Sequence, residues 1–403
     1  MLRFVPPAGT PLKVTQIFRA LKATWTSNGQ SGKALRALGE RVQARHVFAL
    51  SSGRAALWAI LKALHHLRPD RNTVAVPAYV CFSVPASIVR AGLKVEPVDV
   101  NPETLDFDFS QLEALPGRNL LCVMASNLFG MVNDMPCIQA VARAKGAYVV
   151  DNAAQGLGAL LSGRFVGTGG DVGLYSLGRG KAVTTLEGGI VVTSSEEIAG
   201  TLQAIVGGLQ PRSPFHKVNL FLQMLAYAVF LDPRLYWIPS SIPFLKLGVT
   251  EYDPAFRVSS LSALAEALLA EVMERLDEIN RIRQDNARIL TAALASHPRF
   301  RIPRPAKDSQ SIYIRLPLVA VDEATRSEAL QKLRAAGIAA SPFYPSAICD
   351  IRGIAEHMAS PHFHQPSAES LARRLLTLPT HPLVSAQDRN RMVEVLRSVQ
   401  RDG

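Results

Sequence analysis

Residues 147–189 read AYVVDNAAQGLGALLSGRFVGTGGDVGLYSLGRGKAVTTLEGG, and the fold turns on how this stretch alternates strand and glycine-rich loop. The apolar run Tyr148-Val149-Val150 predicts a buried parallel strand that ends in Asp151-Asn152. A second short strand, Val172 to Tyr175, delivers Ser176 and Lys181 into another glycine-rich stretch, and Ile190 to Thr193 predicts a third. Open α/β sheets bind ligands at the carboxyl ends of such strands. A lysine in a weakly charged, glycine-rich loop is a candidate nucleophilic amine, because a partly desolvated lysine gives up its proton readily. The local spacing alone also fits a solvated loop lysine.

Outward from that stretch the pattern repeats. Val47–Leu50 predicts a strand running into Ser51-Ser-Gly-Arg-Ala-Ala-Leu57 and a helix. A Ser-Ser-Gly helix start leaves backbone N–H groups and a positive dipole end, which suit a phosphate, and Arg54 could add a guanidinium. A plain serine N-cap is the competing reading. Val74–Val76, Leu93–Val100 and residues 120–125 predict further strands, with helices between them and over 135–145. Strict alternation predicts a mostly parallel sheet covered on both faces. Upstream, 14–44 predicts two helices around Ser27–Gly32. Downstream, apolar residues from Leu261 to Ile282 predict one long amphipathic helix. Beyond it come a strand over Ser311–Leu316, a helix over Glu323–Ala336, a strand over Ile338–Phe343, and helices over 368–375 and 385–399. The expected division is a large domain over 1–258 and a linking helix with a small α+β domain over 259–403.

Composition narrows the class. A chain of 403 residues with 48% hydrophobic and 19% charged residues can bury a large core and is not a disordered polymer. Cys81, Cys122, Cys137 and Cys349 are far apart in sequence, so neither a zinc site nor a disulfide framework is expected, and no metal is assigned. A reducing, cytoplasmic setting fits, and the N-terminus shows no apolar signal core. The net charge of +11 suits an anionic membrane surface or a phosphorylated substrate. Its basic residues are scattered without interleaved aromatics, which argues against nucleic acid. Residues 205–250 break the rhythm. Val218–Leu231 is apolar but too short to span a bilayer, and Leu235–Leu247 holds two prolines. A buried or dimer-interface insertion is expected there, with peripheral membrane contact as the other reading.

The order of these pieces resembles the DegT/DnrJ/StrS family of pyridoxal-phosphate-dependent sugar aminotransferases, from about residue 10 to about 400. The resemblance rests on Ser51–Leu57, Val76-Pro-Ala-Tyr79, Pro97–Thr104 and Asn127-Leu-Phe-Gly130. It continues through Ala153-Ala-Gln155, Ser176-Leu-Gly-Arg-Gly-Lys181, Glu187–Thr193 and Leu376-Thr-Leu-Pro-Thr-His-Pro382. It implies an aspartate-aminotransferase-like fold, a homodimer, and pyridoxal 5'-phosphate held covalently by Lys181, which would also shuttle the proton. It further implies that Ser52, Gly53, Arg54, Ala55 and Ser176 hold the cofactor phosphate. Gln155, Cys81, Phe82 and Asp151 or Asn152 would then surround its ring. The implied substrates are a nucleotide-linked keto (deoxy)sugar and an amino donor, glutamate by preference. In the family an aspartate faces the ring nitrogen; here that position is Asn152, and Asp151 would replace it only if the strand were bulged. An aromatic position is Cys81, and an asparagine that reaches the partner's phosphate site is Ala255, before Phe256-Arg-Val-Ser259. Two other functions follow from the same resemblance. One is a catalytically reduced binding or regulatory protein; the other is a sugar dehydratase, although dehydratases of the family carry histidine in place of Lys181.

Overall fold

The computed structural model describes residues 3–26, 32–242, 250–360 and 365–399. Strands β1 His46–Leu50, β2 Thr73–Pro77, β3 Lys94–Val98, β4 Leu120–Ser126 and β5 Tyr148–Asn152 alternate with helices. A short hairpin, β6 Leu160–Leu161 and β7 Arg164–Phe165, leads to β8 Val172–Ser176 and β9 Gly189–Thr193. The hairpin strands apart, these form a seven-stranded sheet in the order β1-β9-β8-β5-β4-β2-β3. Every neighbouring pair from β8 to β3 is parallel, whereas β9 runs antiparallel to both β8 and β1. The chain thus forms an α/β fold whose central sheet is mostly parallel.

Both faces of the sheet are covered, so strand residues alternate between two apolar layers. Along β2, Val74 and Val76 join the layer that contains the helix Gly53–Leu67, while Ala75 joins the layer of the helix Met135–Ala144. The parallel strands therefore read as nearly unbroken apolar runs, and their polar residues collect at the carboxyl ends. A helix Ala263–Met273 packs against the helix Val14–Thr26 on the outside of the sheet. A separate three-stranded antiparallel sheet is built from β10 Phe300–Arg301, β12 Arg315–Ala320 and β13 Leu375–Pro379. Between β10 and β12, β11 Ser309–Gln310 instead joins the β6–β7 hairpin.

Three expected elements differ. The amphipathic run from Leu261 to Ile282 is broken into Ala263–Met273 and Leu276–Leu294, because Arg275 (φ −105°, ψ 4°) leaves the helical region. The strand expected over Ser311–Leu316 starts only at Arg315. Upstream, the amides of Ile312 and Ile314 donate to the carbonyls of Gly130 and Phe129 (3.0 and 2.8 Å), which holds that segment on the large sheet's loop. Ile338–Phe343 forms no strand. Ile338 pairs only with Val5 and Ser341 only with Thr377, and Phe343 adopts φ +71°, outside extended backbone.

The apolar stretch becomes a helix, Pro214–Phe230, followed by one turn, Trp237–Ser240. Among the described residues no helix is long and apolar enough to cross a membrane. Residues 27–31 of the expected N-terminal loop and 243–249 of the expected proline-containing stretch lie outside the described residues.

Candidate active site

A cavity of about 260 Å³ opens where the carboxyl ends of β5 and β8 meet the start of the helix Gly53–Leu67. Ser52, Gly53, Arg54, Cys81, Asn152, Gln155, Ser176 and Lys181 all line it, although they come from four separate segments. Ala55, Phe82 and Asp151 do not. Phe82 is buried in the core. Ala55 spends its amide on the Ser52 hydroxyl (3.1 Å), the N-cap bond of the helix.

The helix start is brought close to β8 and β9 by glycines. A Cβ on Gly53 would stand 3.0 Å from Ser176 Oγ, and one on Gly189 only 2.3 Å from the Ser52 carbonyl oxygen. The first amides of a helix have no intrahelical acceptor. Those of Ala55 and Ala56 go to the Ser52 hydroxyl and carbonyl, Ser52 bridges to Gly188, and Gly53 brings this helix start against the Ser176 hydroxyl. This is a cradle for an anion at the positive end of a helix dipole. Arg54 stands at its edge, 5.1 Å from the Phe256 ring and 3.7 Å from Asp253.

At the end of β5 the alternation is unbroken. Its pairing with β4 and with β8 advances residue for residue, with no bulge. Asp151 therefore turns away from the cavity, where its carboxylate accepts from the amides of Gly167 (2.7 Å) and Gly169 (3.1 Å) and from Asn127 Nδ2 (2.8 Å). Its cofactor role is corrected accordingly: Asp151 pins the glycine-rich loop before β8. Burial raises its pKa, and these three donors counter that only in part. Asn152 faces the cavity instead. Its Oδ1 accepts from the Ala154 amide (3.1 Å), so its Nδ2 hydrogens are left for a ligand. Beside it, Ser126 Oγ is buried in the cavity wall without a partner.

Gln155 is fixed at both ends, accepting from the Phe129 amide (2.8 Å) and donating to the Tyr344 hydroxyl (3.0 Å). Tyr344 also lines the cavity and packs edge-on against Tyr79, so an aromatic wall comes from far along the chain while Cys81 supplies none. Cys81 Sγ donates to Ser83 Oγ (3.4 Å).

Lys181 sits on a tight loop that Gly180 enters with φ +73°. Burial lowers the amine's pKa from the ordinary lysine value; nearby Cys81 raises it, and the charge of Arg315 lowers it further. The loop's backbone is clamped from behind by Arg283, which is buried in the core. Arg283 donates to Ala182 O (2.8 Å), Lys181 O (3.2 Å), Thr10 Oγ1 (2.7 Å) and Asn280 Oδ1 (3.0 Å). The sequence reading missed this residue. The signal was present: Arg283 falls four residues after Ile279 on the apolar stripe of its helix, where only a satisfied arginine can sit. It also missed Tyr344, Ser126 and Glu187. The Glu187 carboxylate lines the cavity and lies 2.6 Å from His216 Nε2 on the helix Pro214–Phe230.

Comparison with known proteins gives one consistent set of relatives. The profile of the DegT/DnrJ/EryC1/StrS aminotransferase family matches residues 10–224 and 249–397, leaving out most of the apolar insertion. GDP-perosamine synthase of Caulobacter vibrioides is 25% identical over 397 residues, 95% of this chain and 94% of that protein. GDP-4-keto-6-deoxy-D-mannose 3-dehydratase of Yersinia pseudotuberculosis is 26% identical over 73% of this chain and 71% of that protein. In three dimensions the fold matches that of Helicobacter pylori PseC, an aminotransferase of pseudoaminic acid biosynthesis. The TM-score is 0.80 at 15% identity, over 98% of this chain and 99% of that one.

Proposed function

The chain belongs to the DegT/DnrJ/EryC1/StrS aminotransferase family, and from that premise we propose that it aminates a keto group of a nucleotide-linked deoxysugar with glutamate as donor. The observation that carries this reading is the single amine of Lys181 in a cavity that also holds an anion cradle and two uncommitted polar groups.

Those features fit pyridoxal 5'-phosphate. Ser176 Oγ and the amides of Gly53 and Arg54 would hold its phosphate, while Asn152 Nδ2 and Ser126 Oγ would meet polar atoms of its ring. Bound there, the cofactor supplies the electron sink that acidifies the substrate carbon bearing nitrogen. The protein does the rest. A lysine with lowered proton affinity is an effective nucleophile, and the same amine then takes a proton from one carbon and returns it to another. The Arg283 clamp fixes the backbone from which that amine swings. Gln155, tied to Phe129 and Tyr344, sets the wall against which the ring rests. Asn152 is neutral, so it supports the ring nitrogen by hydrogen bonding without an ion pair. The basic balance of the chain favours a diphosphate-bearing substrate. Incubating the purified protein with pyridoxal phosphate, glutamate and nucleotide-linked keto-deoxysugars tests the reading. Stoichiometric 2-oxoglutarate and amino sugar are expected; absence of both across GDP-, UDP- and dTDP-linked sugars contradicts it.

Homodimerisation and a cytoplasmic setting belong to the same proposal. Phe215, Val218, Leu222 and Trp237 are exposed, near Phe18 and Trp25 of the N-terminal helix. An apolar patch of this kind is seldom left in water. A second copy of the chain covers it in this reading, and docking on anionic headgroups is the competing outcome.

A further inference from the structure

We propose that Glu187 and His216 form a subsite that reads a hydroxyl of the sugar ring beside the reacting carbon. The proposal rests on the reading of the cavity as a sugar aminotransferase site. Glu187 lines the same cavity as Lys181. One carboxylate oxygen, Oε2, is held by His216 Nε2 at 2.6 Å, while the other, Oε1, is buried with no donor. A carboxylate oxygen withdrawn from water and left without a donor is costly, so the missing donor arrives with the ligand.

The arrangement is set in advance. Glu187 stands between Leu186 at φ +63° and Gly188 at φ +109°. Positive φ on a leucine persists only where the surroundings over-determine it. At Gly188 a side chain would meet Leu261 at 2.9 Å and Leu177 at 3.1 Å. His216 is equally fixed. It lies on the first turn of its helix, behind the Ser213 cap, and Leu220 and Met224 follow at steps of four on the buried face. The helix is thereby registered to the cavity through one imidazole.

Charge chooses the ligand group. A carboxylate repels phosphate, and it repels both carboxylates of a glutamate donor. The amine of the amino donor is consumed at the reacting carbon, so a neutral ring hydroxyl is the donor that remains, and an anionic acceptor makes that bond stronger than a neutral one would. Glu187 is therefore a specificity residue for the sugar, and His216 is a positioning residue that acts through it.

The test uses the full-length enzyme loaded with pyridoxal phosphate. Glu187→Gln is expected to raise KM for the keto-sugar at least tenfold, with a smaller change in kcat and in KM for glutamate. The visible absorption of the lysine-bound cofactor should not move. His216→Leu should reproduce part of that rise, and His216→Gln, which can still donate, should recover most of it. Calorimetric titration of the same proteins with GDP-, UDP- and dTDP-linked 4-keto-6-deoxysugars gives a readout independent of turnover. Weaker binding of the nucleotide sugar, with unchanged binding of the bare nucleotide, supports the subsite. Equal loss for the bare nucleotide, an unchanged sugar KM, a loss of cofactor absorption in Glu187→Gln, or no sugar binding above nucleotide in the unaltered protein overturns it. Failure of the aminotransferase reading shows separately, as absent cofactor absorption in the unaltered protein.

Discussion

Two regions of opposite character meet at the cavity, one lining it and the other packed behind it. The strand ends and glycine loops at 51–54, 152–155 and 176–189 are short segments in which local sequence dictates both conformation and exposure. The helix Pro214–Phe230 and the turn after it are laid over that frame. They bury Leu220 and Met224 but leave Phe215, Val218 and Leu222 outside. The first region lines the cavity and supplies the chemistry; the second is matched by the family only as far as residue 224 and reaches the cavity at one point, through the bond of His216 to Glu187. Chemistry is thus concentrated in the strand ends and loops, and the packed-on helix acts on it through one imidazole.

Perturbing the first region should therefore cost activity by orders of magnitude. Lys181→Ala is expected to lower kcat by roughly 10³-fold or more, since nucleophile and proton carrier are lost together. A surface change in the second region, such as Phe215→Ser, should leave kcat within about twofold. If the two variants were equally damaged in steady-state assays, the contrast would collapse. Size-exclusion chromatography and co-sedimentation with anionic vesicles sharpen it further. Loss of the dimer in Phe215→Ser places the second copy on this face, whereas vesicle binding by the unaltered protein replaces that reading with a lipid surface.

Support behind the cavity should appear as stability. Arg283→Met removes five donated bonds and leaves buried acceptors unsatisfied, at a cost of roughly 3 kcal/mol in denaturant unfolding. Acid should act through His381, which lies in the Leu376–Pro382 segment and whose Nε2 donates to the Pro6 carbonyl (2.8 Å). Burial pushes its pKa down to about 4 from the ordinary 6.5. The folded chain keeps the ring neutral while the unfolded chain takes up a proton. This contribution is complete above pH 6.5 and lost as pH falls toward 4, amounting to at most about 3 kcal/mol. His381→Gln should flatten that part of the melting-temperature profile; an unchanged profile contradicts the assignment.

A smaller and more discriminating contrast lies within one strand. Asn152→Asp should leave turnover intact or raise it, because the change places a charge at the cavity wall. Asp151→Asn should leave turnover nearly unchanged but cost about 1–2 kcal/mol of stability, since three donors lose an anionic acceptor. Abolished turnover in Asp151→Asn would reverse the assignment of the two side chains.

The same division governs what the sequence alone revealed. Apolar runs bounded by glycine and polar residues placed β1 to β5, β8 and β9, because a strand buried on both faces has few other sequence solutions. The cavity positions of Ser176 and Lys181 were legible because both fall in the glycine-rich stretch at the end of an apolar strand, and that of Gln155 only through its motif. The roles of Asp151 and Asn152 were not, because two adjacent polar residues differ only in the face to which the backbone turns them. The break at Arg275 was hidden by an apolar spacing that continues across it. Ser311–Ile314 reads as a strand by composition, yet its hydrogen bonds go to the loop at Phe129 and Gly130, which is a tertiary choice. Tyr344 meets the cavity, and His216 meets Glu187, from distant parts of the chain, and no local pattern records those meetings.

The central claim, that one amine at the end of β8 carries the cofactor, is tested most directly by borohydride reduction of the pyridoxal-phosphate-loaded protein followed by peptide mapping. The account predicts loss of a visible absorption band and a single pyridoxyl label on Lys181. A label on another lysine, such as Lys217, or no label on protein incubated with excess cofactor, would contradict it.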